Sequence, residues 1–122
     1  MCSSDLMALP VAAQDAATFY KGRNIDVVVA SPPGGGFDAY ARIITRHMIK
    51  HMAGPPNFIV KNMPGASSLT GLKYLVVQAT KDGSSFGIFN PTLINLSVLE
   101  PKQVDVDWSK ITWLGKIGRA HV

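Results

Sequence analysis

The sequence predicts an α/β fold in which parallel strands alternate with helices. Short β-branched or aromatic runs occur at residues 25–30, 58–60 and 86–89, and each is followed by a turn rich in glycine, proline or asparagine. Helical patterns follow these turns, so the order is strand, helix, strand, helix, strand. Right-handed crossovers place such strands parallel in one sheet, and we therefore expect a βαβαβ unit.

The first strand and helix have the clearest pattern. Residues 25–30 form a β-branched run that ends in Ser-Pro-Pro-Gly-Gly-Gly, which predicts a buried strand and a turn. The next apolar residues recur at helical spacing, and the predicted inward face comprises Phe37, Tyr40, Ala41, Ile44, Met48 and Met52. A second face, predicted to be solvated, carries Asp38, Arg42, Arg46 and Lys50. Gly-Pro-Pro at residues 54–56 ends the helix.

The later elements follow the same scheme. Residues 58–60 predict the second strand, and a second helix begins at Ser67 or Ser68, either of which can cap it. The inward face of that helix comprises Leu69, Leu72, Leu75, Val76 and Ala79. Lys-Asp-Gly turns into the third strand, and the segment after it begins a helical stretch that extends to Leu99. Residues 111–114 have the composition of a fourth strand.

Length and composition indicate one globular domain. The chain has 122 residues, of which 47% are hydrophobic and 16% charged, outside the range of disordered proteins. No apolar run approaches the roughly 20 residues that cross a bilayer, so we do not expect a membrane-embedded protein. The single cysteine excludes an internal disulfide. The net charge of +4 leaves nucleic acids, anionic membranes and small anions open as partners.

Both ends of the sequence resemble a translated sequencing adapter. Residues 1–5 can be encoded by GTG TGC TCT TCC GAT, and the reverse complement of that DNA encodes Ile-Gly-Arg-Ala-His, the sequence of residues 117–121. We therefore interpret residues 1–6 and 117–122 as adapter read-through and expect a natural protein that is longer at both ends. Cys2 and His121 then have no functional role.

Residues 7–13 are typical of the end of a secretory signal peptide. An apolar stretch is followed by Val-Ala-Ala, which resembles the small-residue cleavage site of exported proteins. The alternative is a disordered or helical N-terminal stub. On the signal-peptide interpretation, the mature protein begins near Gln14 and is exported to a bacterial periplasm.

The predicted topology brings three loops together. Parallel strands end at one edge of a sheet, so the first loop (residues 32–37), the second loop (62–68) and the third loop (90–92) converge where ligands bind. The first and second loops stand directly before helices, whose first N–H groups lack partners and carry the positive end of the helix dipole. They therefore suit an anion such as a carboxylate or phosphate, held mainly by backbone amides. Tight turns without a ligand are the alternative interpretation of each loop.

Asp38 has several open roles in this scheme. It can cap the helix, pair with Arg42, or contact a cationic or hydroxyl group of a ligand. A carboxylate at this position would also repel an anion beside it.

Motifs for catalysis and cofactors are weak. Residues 34–39 fit the dinucleotide pattern G-x-G-x-x-A, but Lys61 and Asn62 stand where an acidic residue is expected after the second strand. The sequence contains neither a P-loop nor a G-x-S-x-G elbow. We therefore expect no enzyme and no cofactor, and keep a nucleotide- or dinucleotide-binding oxidoreductase fragment as the alternative.

The histidines, the tryptophans and the basic helix face also have structural explanations that need no bound metal, ligand or nucleic acid. His47 and His51 lie four residues apart, but no third metal ligand is evident, and they are interpreted as ordinary helix residues. Trp108 and Trp113 are expected to pack within the protein. The basic residues of the first helix share their face with Asp38, which is typical of a solvated surface, so nucleic acid is not expected as a partner.

Several motifs in the same order resemble the tripartite tricarboxylate transporter substrate-binding proteins, also called the Bug family. They are Phe-Tyr-Lys-Gly at residues 19–22, Pro-Gly-Gly-Gly-Phe-Asp-Ala-Tyr-Ala-Arg at 33–42, Asn-Met-Pro-Gly-Ala at 62–66 and Lys-Asp-Gly at 81–83. Val-Asp-Trp-Ser-Lys at 106–110 is similar to the same family further along the chain. The resemblance covers residues 19–116.

This resemblance implies a truncated first lobe, at residues 19–116, of a two-lobe periplasmic binding protein that delivers a small organic acid to membrane transporter subunits. It also implies that backbone amides and waters hold the ligand carboxylate. By position, the ligand-binding residues are Pro33, Gly34, Gly35, Gly36, Phe37, Asp38, Pro64, Gly65, Ala66 and Ser67, with Asn90 and Thr92 as wall residues. The family often has glycine where Ser67 stands. With the second lobe absent, we expect weak or undetectable binding by this fragment.

Overall fold

A parallel three-stranded sheet forms the centre of the computed structural model, which describes residues 15–116. β1 (Asn24–Val29) lies between β2 (Asn57–Asn62) and β3 (Ser85–Ile88), and both neighbours run parallel to it. The predicted α/β fold is confirmed. The interpreted signal remnant at residues 7–13 and both interpreted read-through segments lie outside the described residues.

Four α-helices accompany the sheet in the described part of the chain. They are α1 (Ala16–Tyr20), α2 (Gly36–Met48), α3 (Leu69–Val77) and α4 (Thr92–Leu99). Short 3₁₀ turns occur at Ile49–His51, Ala66–Ser68 and Trp108–Lys110. α1 was not predicted from the sequence. Within residues 15–116, every helix is too short or too polar to span a bilayer.

The helices cover opposite faces of the sheet. Val27 and Val29 of β1 are fully buried and pack with Ala41 of α2. The other face carries α3 and α4, whose buried Leu72 and Leu93 belong to a second apolar cluster. The connection after β1 therefore leads to one face and the connection after β2 to the other, around the point where the strand order reverses.

The buried face of α2 differs from the prediction at two positions. Tyr40 was expected to point inward but is 50% exposed, whereas Asp38, expected on the solvated face, is only 4% exposed. The buried residues of α2 are Asp38, Ala41 and Thr45, and Phe37 packs on the same cluster as Ala41. Helical spacing alone could not show this, because Asp38 is drawn inward by hydrogen-bond partners from outside the helix.

The prediction of a fourth strand at residues 111–114 is wrong. Residues 111–116 are irregular in the structure. Ile111 packs on the apolar cluster around Leu72, and the Trp113 ring stacks on Trp108 at 6.0 Å. The predicted packing is confirmed for Trp108, whereas Trp113 contacts Trp108 but remains 51% exposed.

Candidate functional site

The three loops leave the sheet side by side. The amide of Ala30, directly after β1, donates to Ile88 O at 2.9 Å, and the amide of Met63, directly after β2, donates to Val29 O at 2.8 Å. The chain that leaves β1 is therefore flanked by the chains that leave β2 and β3. This places the first, second and third loops at one edge, as the topology predicted.

The first loop presents free amides at the start of α2. Gly35 precedes the helix in an extended conformation, and no side chain caps it. Within residues 15–116, the amides of Gly36, Phe37 and Asp38 have no hydrogen-bond acceptor, as expected for a first helical turn. The amide of Gly34 is different, because it donates to Asp38 Oδ2 at 2.9 Å and is already satisfied.

The second loop has an unusual backbone. Gly65 has φ 132°, and the next three residues, Ala66, Ser67 and Ser68, have φ values of 45°, 54° and 83°. A left-handed conformation costs a non-glycine residue roughly 1–2 kcal/mol, and such strain clusters at functional sites. In the described part of the chain, the amides of Ala66 and Ser67 have no acceptor, whereas the Ser68 amide donates to Gly65 O at 3.0 Å.

The predicted serine cap of α3 is not formed. Ser68 precedes the helix but makes no side-chain bond to it. Its buried hydroxyl donates instead to Ala30 O at 2.7 Å. Ser68 therefore fastens the second loop to the end of β1, and the first amides of α3 remain without a side-chain cap.

Asp38 joins the first and second loops. Its Oδ2 accepts from the Gly34 amide at 2.9 Å and from Arg42 Nε at 3.0 Å, and its Oδ1 accepts from Asn62 Nδ2 at 3.0 Å. These bonds, led by that of Arg42, lower the pKa of the Asp38 carboxyl to about 2. Of the open roles for Asp38, the structure shows the pair with Arg42 and a bond to the loop before the helix.

The remaining sequence-predicted residues line the same edge. Pro33, Pro64 and the backbone of Gly36 are exposed, and Phe37 is half-buried against the core below the first loop. In the third loop, Asn90 Oδ1 accepts from the Thr92 amide at 3.0 Å, so this side chain closes its own turn.

Sequence reasoning missed two residues of this edge. Asn62 was predicted to lie in the second loop but was given no bonding role, yet it bonds to both Asp38 and Ser31. Ser31 has a buried hydroxyl with no partner in the described structure. A polar residue at the carboxyl end of a buried strand was the available signal for both, because that position faces the ligand edge of a parallel sheet.

Two concavities of the described structure have volumes of about 560 Å³ and 480 Å³. The first lies beside α1, and the second lies along α3 and includes Met63 of the second loop. Neither is lined by the glycines of the first loop or by Ala66 and Ser67. Across residues 15–116, no three histidine, cysteine or acidic side chains are grouped as a metal site.

Comparison with known proteins gives a partial structural match. It matches no protein-family model and no curated protein. It is similar to a structure described as that of a periplasmic transporter, with 29% identity and a TM-score of 0.59. The match covers 72% of this chain but 29% of that one, so the chain spans less than a third of its neighbour.

Proposed function

We propose that this chain is part of a periplasmic solute-binding protein that captures a small organic acid for a tripartite tricarboxylate-type membrane transporter. One observation carries the proposal. Two loops at a single sheet edge present unpaired backbone amides, at Gly36 and Phe37 in the first and at Ala66 and Ser67 in the second. The similarity to part of a periplasmic transporter supports the transport role, and the motif resemblance to the Bug family supports the acid and the transporter type.

The chemistry of the edge favours an anion. α2 is 13 residues long, so its first turn carries a full helix-dipole charge. The nearest carboxylate, Asp38, is buried and paired with Arg42, which offsets its repulsion of a bound anion. The exposed, small residues of both loops let a carboxylate approach the amides closely.

We propose binding without catalysis. Asp38 is held ionised by three donors, so it is a poor proton acceptor and a poor acid near neutral pH. Ser67 and Ser68 carry the hydroxyls of the second loop, and neither bonds to a histidine or carboxylate in the described structure. The site therefore supplies donors that orient an anion, and the ligand leaves unchanged.

The dinucleotide alternative has one favourable feature, the glycine run between β1 and α2. A dinucleotide site also needs an acidic residue at the end of the second strand for the ribose hydroxyl. Here Lys61 bonds to Asp26 at 2.6 Å and Asn62 bonds to Asp38. The ribose of a dinucleotide would therefore lack its usual hydrogen-bond acceptor. This favours a small organic acid as the ligand.

Thermal unfolding tests the proposal with named ligands. Millimolar succinate or citrate should raise Tm above that in sodium chloride of matched ionic strength, because a ligand that binds only the folded state stabilises it. NAD should give no rise beyond the salt control. A rise with NAD alone would favour the oxidoreductase alternative. No rise with any carboxylate, even at the high concentrations that weak binding by one lobe requires, would contradict the proposed function.

A proline substitution tests the amide donors themselves. Gly36 is the first residue of α2, a position that accepts proline because its N–H is unpaired in any case. Gly35 is already extended, as a residue before proline should be, and a Cβ at Gly36 meets nothing within 4 Å. Gly36→Pro should therefore keep the fold and weaken succinate binding.

The matched control lies at the opposite edge. Ala16 is the first residue of α1 and follows Asp15, whose φ of −57° and ψ of 120° also suit a residue before proline. Ala16→Pro deletes an equivalent amide far from the loops and should leave succinate binding unchanged. Equal binding by both proline variants and the parent would show that the first turn of α2 does not hold the anion.

A further inference from the structure

Asn62 occupies a singular position between the two amide-bearing loops. It is the last residue of β2 and pairs in register with Val29, the last residue of β1. Its Nδ2 donates to Ser31 O at 3.2 Å and to Asp38 Oδ1 at 3.0 Å. One side chain from the second loop thus contacts the residues that directly precede and follow the first loop.

Asp38, which accepts from Asn62, extends this contact to α2. Asp38 is 4% exposed and also accepts from the Gly34 amide and from Arg42 Nε. A shift of Asn62 would leave Asp38 Oδ1 and Ser31 O without that donor, and an unpaired buried acceptor is costly. The two loops therefore cannot move apart without breaking hydrogen bonds of a buried carboxylate.

We propose that Asn62 is a positioning residue, which acts through Asp38 and Ser31 to hold the free amides of the two loops at one fixed separation. The inference rests on the proposed function, since it assigns to Asn62 the preorganisation of that same anion site. Asn62 itself does not touch the anion, because both of its amide hydrogens are directed to protein oxygens. A preorganised pair of loops binds more tightly because it does not lose freedom on binding.

Asn62→Leu is the direct test, because leucine has nearly the same size and charge but no donor. In a succinate titration followed by amide-resolved NMR, the variant should bind about tenfold or more weakly than the parent. Its Gly34 and Phe37 amides should also show faster internal motion without ligand, although the substitution lies in the other loop. Should Asn62→Leu fail to fold, Asn62→Ala gives the same comparison.

Asn57→Leu is the matched control. Asn57 begins the same strand, and its Nδ2 donates to a backbone oxygen, Gly22 O, at 3.5 Å. This control alters the other end of β2, so it should leave succinate affinity and the motion of the first loop unchanged. A purely structural role for Asn62 would lower stability without changing the affinity of the folded fraction.

The outcomes separate the two proposals. If the parent binds succinate and Asn62→Leu binds equally well, the positioning role is wrong while the proposed function stands. If both leucine variants weaken binding equally, the effect belongs to β2 as a whole and the positioning role is also wrong. If the parent shows no response to succinate, the proposed function is contradicted, and the role of Asn62 with it.

Discussion

The two edges of the sheet use their hydrogen-bonding groups differently. At the amino edge, the protein closes its own turns: Gly22 N donates to Pro55 O at 3.2 Å, and Asn57 N donates to Arg23 O at 2.8 Å. The Tyr20 hydroxyl donates to Gly83 O, and Arg23 pairs with Asp82 at 3.2 Å. This edge fastens the connections that enter β2 and β3.

At the carboxyl edge, side chains make the cross-links and backbone amides remain free. Asp38, Asn62 and Ser68 bond the loops to one another, while Gly36 and Ala66 keep unpaired N–H groups. Strain also differs, since the non-glycine residues with positive φ in the described part of the chain are at 66–68. The amino edge therefore supports the fold, whereas the carboxyl edge retains free amide donors.

The largest expected effect is at the amino edge. Gly54 has φ 136°, and a Cβ there would collide with Ala17 O of α1. Gly54→Ala should lower the free energy of unfolding by roughly 3 kcal/mol, as positive φ and overpacking combine. Urea unfolding measures this. At the carboxyl edge, a Cβ at Gly36 has free space, so Gly36→Ala should instead raise the free energy of unfolding by up to about 1 kcal/mol. Equal losses of stability in both variants would contradict the difference between the two edges.

The second largest expected effect concerns the loss of stability at acid pH. The folded pKa of Asp38 is about 2, against 3.8 for the ordinary group, so the unfolded chain binds the proton first as pH falls. The stabilisation is present above pH 4 and is lost as pH falls through about 2. Asp38→Asn should flatten this part of the stability profile.

Asp82 is a carboxylate at the amino edge whose effect on acid unfolding can be compared with that of Asp38. Bonds from the Ser84 hydroxyl and amide lower the pKa of this carboxyl as well. Asp82→Asn should therefore flatten the profile too, but less, because Asp38 is the buried one of the two. A larger change for Asp82→Asn would show that the buried carboxylate does not dominate the acid response.

Replacement of two serines at the carboxyl edge by alanine should change stability in different ways. Ser68→Ala removes a buried hydrogen bond to Ala30 O and should cost about 1 kcal/mol. Ser31→Ala removes a buried hydroxyl that has no partner in the described structure and should leave stability unchanged or slightly raised. Thermal unfolding of the two variants tests the contrast, which would fail if Ser31→Ala were the more damaging.

The smallest effect should come from Ser67→Gly. Ser67 has φ 54° and ψ 42°, a left-handed conformation that glycine adopts without strain. The relief is partly offset by the greater freedom of glycine in the unfolded chain, so the net gain should be at most about 1 kcal/mol. A clear loss of stability in urea unfolding would show that the serine hydroxyl supports the loop.

The sequence predicted the framework of this molecule better than its details. Periodicity located all three strands and the helices after them, because β-branched runs and glycine-rich turns are local signals. Burial of Asp38 was not predictable, since its partner Asn62 lies 24 residues away and helical spacing places Asp38 with Arg42. The positive φ values of residues 66–68 were likewise hidden, because alanine and serine do not signal a left-handed backbone.

An amide-resolved NMR titration of the chain with succinate, against sodium chloride of matched ionic strength, tests whether the two loops share one anion site. We expect the largest shifts at the amides of Gly36, Phe37, Ala66 and Ser67 together, with a common affinity. Amides of the amino edge, such as those of Arg23 and Ser84, should not move. Shifts confined to one loop, or spread equally over both edges, would contradict a shared anion site.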